Sequence, residues 1–140
     1  MIEVVTSGNL EEVLPLIKKY QEFYEVAEID KDKNRKYFSK FTDGSNDGIL
    51  LLLRDSGKVV AFSTLYRGFS STRAEEVGVL NDLYVLPNYR KKGYAKNVAM
   101  VGCSGLQQKL LQRHRHCMIH WVLKKVSGTF MQNKHKALNN

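Results

Sequence analysis

Leu80-Asn81-Asp82-Leu83-Tyr84-Val85-Leu86-Pro87-Asn88-Tyr89-Arg90-Lys91-Lys92-Gly93-Tyr94-Ala95-Lys96 runs from an apolar strand, through a turn stopped by proline, into a basic segment interrupted by one glycine. If a helix opens near Gly93, its first backbone N–H groups have no partner inside the helix and point out of its end. With Arg90, Lys91 and Lys92 beside them, they form an anion site that the helix dipole strengthens. Gly93 lets a ligand approach the backbone closely, and Ala95 is small for the same reason. The spacing predicts a cradle for a pyrophosphate. The bland alternative is a solvated charge cluster beside an ordinary turn, but strand, anion-binding turn and helix start coincide here. The phosphate loops Gly-x-x-x-x-Gly-Lys-Ser/Thr and Gly-x-Gly-x-x-Gly do not occur in the chain.

The segments before this stretch read as β-α-α-β-β. Ile2 to Val5 is a short strand, broken at Ser7-Gly8-Asn9. Asn9 with Glu12 three residues on predicts a capping box, and Leu10, Val13, Ile17, Tyr20 and Tyr24 follow at helical spacing. Pro15 predicts a kink or a late start to that helix. A second helix is expected from Asp32 to Phe41, with Tyr37, Phe38 and Phe41 on its apolar face, followed by a loop over 43–48. Ile49 to Leu53 and Val59 to Tyr66 read as a hairpin around Arg54-Asp55-Ser56-Gly57-Lys58, and Gly68 to Ala74 as an exposed polar link. Glu76 to Val85 is the third, longer strand of this group. A helix follows Gly93, expected to be broken by Gly102, Ser104 and Gly105, and Met118 to Val122 reads as a further strand.

Arg90-x-x-Gly93-x-Ala95 matches the Arg/Gln-x-x-Gly-x-Gly/Ala signature of the GNAT superfamily of N-acetyltransferases. It stands directly after Leu83-Tyr84-Val85-Leu86-Pro87-Asn88-Tyr89, which resembles that family's strand and turn into its cofactor loop. The two helices and the hairpin precede it in the family's order, so the resemblance covers residues 1 to about 98. It implies an α/β fold of the α+β kind, a mixed and mostly antiparallel central sheet flanked by helices in the order β-α-α-β-β-β-α-β-α. It also implies acetyl-CoA as cofactor, with the pantetheine arm along Leu83, Tyr84 and Val85 and the pyrophosphate on Arg90, Lys91, Lys92, Gly93, Tyr94, Ala95 and Lys96.

The family's chemistry is direct attack of an amine on a thioester, which needs a neutral amine, an oxyanion donor and a proton for the departing thiolate. The resemblance assigns the oxyanion to a strand N–H, that of Val85. Relatives often carry Glu where this chain has Asn81, which cannot take a proton but could hold a water. Asp82 is therefore the first candidate base, with Glu75 or Glu76 behind it, against the alternative of a strand-edge carboxylate that pairs with Lys or Arg. The thiolate's proton comes from a helix Tyr in the family, and His135 falls near that position here, against the alternative of an exposed tail histidine.

At 140 residues, with 43% hydrophobic and 26% charged, the chain suits one globular domain over 1–140. No run is long enough to span a membrane and Met1-Ile2-Glu3 does not open a signal peptide, so a cytoplasmic protein is expected. His114, His116, Cys117 and His120 lack the spacing of a ligand quartet, and no metal is expected. Residues 1–70 hold ten basic and eleven acidic residues, a net of −1, while 71–140 hold twelve and three, a net of +9. That asymmetry points to an anionic partner, either the cofactor or nucleic acid. The missing nucleic-acid motifs speak against the second. The acceptor is expected to be a small primary amine, a polyamine or a lysine-type side chain. Glu22, Glu25, Glu28, Asp30 and Asp32, with Tyr20, Phe23 and Tyr24 beside them, are either its binding face or a solvated helix surface. Past Val98 the resemblance decays and the family's last strands are missing. A homodimer could complete the sheet there; a truncated domain or a shifted reading frame over about 98–117 are the alternatives. Asn81 and the absent Tyr raise a further reading, a CoA-binding protein without catalysis.

Overall fold

The computed structural model describes residues 1–72, 74–110 and 117–118. Strand β1 (Ile2–Val4) leads into helix α1 (Leu10–Phe23) and helix α2 (Lys31–Phe38), which ends in a 3-10 turn over Ser39–Phe41. Strands β2 (Gly48–Asp55), β3 (Lys58–Ser70) and β4 (Glu75–Val85) follow, then a 3-10 turn at Pro87–Tyr89, helix α3 (Tyr94–Leu110) and strand β5 (Cys117–Met118). The sheet order is β1-β2-β3-β4-β5, antiparallel through β4, with β5 parallel to β4. This is the mixed, mostly antiparallel sheet that the resemblance implied. His114, His116, His120, His135 and the end of the expected fifth strand lie outside the described residues. Among those described, no helix is long and apolar enough to cross a membrane.

The sheet is covered on both faces, which is why β2 carries the run Ile49-Leu50-Leu51-Leu52-Leu53 without alternation, all five residues buried. On one face α1 packs Val13, Leu14 and Ile17 into the core, and Tyr20 stands against Phe62 of β3 and Tyr84 of β4. On the other lies α3, where a Cβ built on Gly102 would come within 2.5 Å of Leu65 and 3.1 Å of Leu51. Gly102 therefore does not break the helix. It lets the backbone of α3 approach β2 and β3, a close contact that outweighs the roughly 1 kcal/mol a mid-helix glycine costs.

Several local expectations are corrected. Helix α1 starts at Leu10 and continues through Pro15, so the start is not late. Its capping box does not form: Asn9 Oδ1 accepts from Thr6 N–H at 2.8 Å, and Glu12 instead accepts from Arg54 Nη1 at 2.6 Å. Helix α2 is capped by Asp30, whose carboxylate accepts from the N–H groups of Asp32 and Lys33. Strand β3 continues to Ser70, past the point where Gly68 was read as the start of an exposed link. Strand β4 holds it there, pairing Gly68 with Val77 and Ser70 with Glu75.

One irregularity in β4 governs the site. Asp82 pairs with Thr64 and Leu80 with Leu65, so Asn81 is an extra residue in the ladder, a β-bulge. The described part of β5 pairs with Gly78 and Val79 only, below the bulge. Among the described residues no strand lies beside 80–85 on that edge.

Candidate active site

The edge of β4 that no described strand covers carries a directional set of backbone groups. Leu86 N–H donates to Val60 O at 2.9 Å. Antiparallel pairs alternate between bonded and non-bonded, so the neighbouring pair, Ala61 with Val85, turns the N–H and C=O of Val85 away from β3. The pair Ser63 with Leu83, two residues on, turns Leu83 the same way. An extended ligand lying along this edge of β4 would meet the amides of Leu83 and Val85 but not that of Tyr84, which faces β3.

At the end of this edge the chain turns into α3. Lys91 and Gly93 both take left-handed backbone, with φ of 63° and 79°. The first α-helical bond runs from Asn97 N–H to Gly93 O at 3.1 Å, so the N–H groups of Tyr94, Ala95 and Lys96 open the helix without an intrahelical acceptor. There is no acidic residue in the first turn to offset the positive end of the dipole. A Cβ built on Gly93 meets nothing within 4 Å, so the space over the turn is open. Donors, open space and missing counter-charge fit the diphosphate of acetyl-CoA.

The side chains around this turn divide into two sets. Lys91, Lys92 and Lys96 are exposed, with the Lys92 ammonium 5.0 Å from the ring centre of Tyr89. Arg90 is turned back along β4: its Nε donates to Val85 O at 3.0 Å, and its guanidinium lies over Tyr84 and Phe23. The Tyr94 hydroxyl donates to Asp55 at 2.8 Å, which holds the Asp55 carboxyl below its ordinary range, so Tyr94 offers the cradle its backbone and not its phenol.

Asp82 sits on the α1 face of the sheet, beneath a cluster of hydroxyls. Tyr20 OH donates to Oδ1 at 2.9 Å, Tyr66 OH donates to Oδ2 at 3.2 Å, and Thr64 Oγ1 also donates to Oδ2. Burial pushes the phenols of Tyr20 and Tyr66 well above their ordinary range, and the charge of Asp82 pushes both further. The Tyr37 hydroxyl lies 3.3 Å from that of Tyr66. Asp82 has hydroxyl partners in place of the Lys or Arg that a structural strand-edge carboxylate would choose. Asn81 is exposed at the bulge.

The sequence singled out Asp82 but missed Thr64 and Tyr66. Their signal was a pair of hydroxyl-bearing residues two apart, hence on one face, directly after the apolar run Val59 to Phe62. The alternative base Glu76 is ion-paired to Arg67. Much of the acidic set near α1 and α2 is also engaged. Glu22 lies 3.7 Å from Lys18, Asp32 pairs with Arg35, and Asp30 caps α2. Glu11, paired with Arg35 and Lys31, has its carboxyl lowered to about 2 by them.

Comparison with known proteins gives the family and the fold. The sequence model of the acetyltransferase (GNAT) family matches residues 13–123. A curated relative from Bacillus subtilis (strain 168), the uncharacterized N-acetyltransferase YhfO, is 32% identical over 81 residues, 58% of this chain and 53% of that protein. The match thus spans about half the length of that relative. Among solved structures, a GNAT family acetyltransferase from Staphylococcus aureus superposes with a TM-score of 0.64 at 18% identity, over 94% of this chain and 97% of the other. An integron cassette protein from the mobile metagenome of Cole Harbour Salt Marsh gives a TM-score of 0.72 at 18% identity, over 97% and 90%. At such identities the two structures speak for the fold alone.

Proposed function

Because the chain belongs to the acetyltransferase (GNAT) family, we propose that it transfers an acetyl group from acetyl-CoA to the nitrogen of a primary amine, within a complex holding both. The observation that carries this reading is the continuity of the β4 edge, with Leu83 and Val85 turned away from β3, into a helix start that has open space and no acidic residue in its first turn. The cofactor supplies an activated thioester. Backbone N–H groups from Gly93 to Lys96 would take its diphosphate, with Lys91, Lys92 and Lys96 at the rim. The amides of Leu83 and Val85 would take the pantetheine arm and the thioester oxygen, and a single preorganised oxyanion donor is worth roughly 10²–10³ in rate.

In this reading Asp82 is the base that neutralises the incoming ammonium. Three hydroxyl donors fix the position of its carboxylate before the amine arrives. The general acid for the thiolate is assigned by resemblance to His135. In this reading residues 1–140 belong to one domain.

The acceptor class follows from charge. Most carboxylates around α1 and α2 are already paired, whereas Phe23, Tyr24 and Tyr37 are partly exposed. A single cationic amine on an apolar body suits this surface better than a polyamine does. The experiment is thiol release from acetyl-CoA across spermidine, phenethylamine and Nα-acetyl-lysine, beside calorimetric binding of acetyl-CoA. Release with at least one amine is expected. Tight binding with no release from any amine would make the chain a CoA-binding protein without catalysis.

A further inference from the structure

Acyl transfer to an amine leaves one proton unaccounted for by the two products. The ammonium brings three N–H bonds. As the N–C bond forms and the C–S bond breaks, the amide keeps one hydrogen and the thiol takes another. The third must reach solvent in every turnover, and it is the one Asp82 has accepted. With an amine beside it, Asp82 has, among the described residues, only its hydroxyl neighbours to pass that proton to.

We propose that Tyr66 and Tyr37 carry this proton from Asp82 to solvent, hydroxyl to hydroxyl, on the α2 side of the site; the inference rests on Asp82 being the base as proposed above. Thr64 is fully buried and ends the network on its side. Tyr20 is wedged between Tyr24, Phe62 and Tyr84. Tyr66 combines a bond to Asp82 at 3.2 Å with a hydroxyl neighbour at 3.3 Å, that of Tyr37, a residue that is 42% exposed, while the Tyr24 hydroxyl beside Tyr20 offers the competing route on the α1 side. In the hop, the Asp82 proton moves to Tyr66 Oη while that hydroxyl gives its own to Tyr37 Oη, which releases one to water. No phenolate forms, in keeping with the raised phenol of Tyr66. Lys40, whose ammonium lies 5.5 Å from the Tyr37 ring centre, is the charged neighbour at the exit and disfavours retention of a proton there.

The rings are held independently of their hydroxyls. Tyr66 stacks on Phe41 with centres 5.0 Å apart, and Tyr37 packs edge-on against Phe38 and Phe41. Tyr→Phe changes should therefore keep the packing and remove only the relay. The test measures thiol release at saturating acetyl-CoA with whichever of the three amines reacts fastest. Tyr37→Phe and Tyr66→Phe are expected to lower kcat roughly tenfold with KM unchanged. Added imidazole should restore kcat in Tyr37→Phe in proportion to its concentration, because a diffusible base can take the proton that the missing hydroxyl no longer carries. A role limited to packing would not respond to imidazole. Unchanged kcat in both variants, or a loss that imidazole does not repair, overturns the relay. A loss repaired by imidazole in Tyr24→Phe, with Tyr37→Phe normal, would put the exit on the α1 side and also overturn it. Full activity of Asp82→Asn removes the base itself, and no release with any amine removes the acetyltransferase reading on which both depend.

Discussion

The two ends of the site are built by opposite means. At the phosphate end, residues 90–96 are contiguous, the donors are backbone amides, and what matters is an open space where a side chain would stand. At the Asp82 end the groups come from α1, β3 and β4, separated by 16 to 62 residues, and every donor is a side-chain hydroxyl. The first end tolerates any side chain that leaves the backbone and the space alone. The second tolerates backbone changes poorly, because each partner must meet one carboxylate. Substitutions should therefore hurt binding at the first end and turnover at the second.

The sharpest way to break this division is Gly93→Glu. A carboxylate in the open space faces the diphosphate, and acetyl-CoA affinity should fall by about two orders of magnitude or more in calorimetry. Since φ at Gly93 is 79°, any L-residue there also costs about 1 kcal/mol in a thermal melt. Near-normal affinity would mean that the turn is not the cradle. At the other end Asp82→Asn should lower kcat by about a hundredfold while acetyl-CoA affinity stays within a few-fold, measured on the same preparation. A third change addresses the packing that supports both ends. Gly102→Val should cost about 1–3 kcal/mol in urea denaturation through its clash with Leu65 and Leu51, and a neutral outcome would mean that α3 sits less tightly on the sheet.

The smallest effect lies outside the site and serves as a control. Glu11 is held at about 2, below its usual 4.5, by Arg35 and Lys31. A depressed carboxyl contributes stability that is present above 4.5 and is lost as pH falls toward about 2. The difference in denaturation midpoint between the wild type and Glu11→Gln should therefore shrink over that interval. It should be modest throughout, because the pair is exposed. A difference that widened on acidification would refute the ion pair's role.

The sequence made the phosphate end legible because its physics is local: a strand, a stop at Pro87, a run of cations and a glycine on one short stretch. Element order was legible from periodicity for the same reason. What failed depended on partners distant in sequence. Glu12 looked like a capping residue but Arg54, which is 42 residues away, takes it. Gly68 looked like the end of a strand until β4 supplied its pairing, and Gly102 looked like a helix breaker until Leu51 and Leu65 supplied a surface to approach. Asp82 could be named from its strand, but Thr64 and Tyr66 become its neighbours only through the pairing of β3 with β4, and Tyr20 only once α1 lies on the sheet.

The bulge at Asn81 also gives β4 a change of parity. Above it the even positions 82 and 84 face α1. Below it the odd positions 77 and 79 do, since they sit opposite Gly68 and Tyr66. A strict two-residue alternation read along Val77, Val79, Leu83 and Val85 would put all four on one side of the sheet, whereas the extra residue divides them between the two. One inserted residue thus lets a single strand follow two reading phases, one set by its pairing with β5 and the other by the site. Removing Asn81 would merge the phases, and either the carboxylate or the apolar half of the strand would have to change sides.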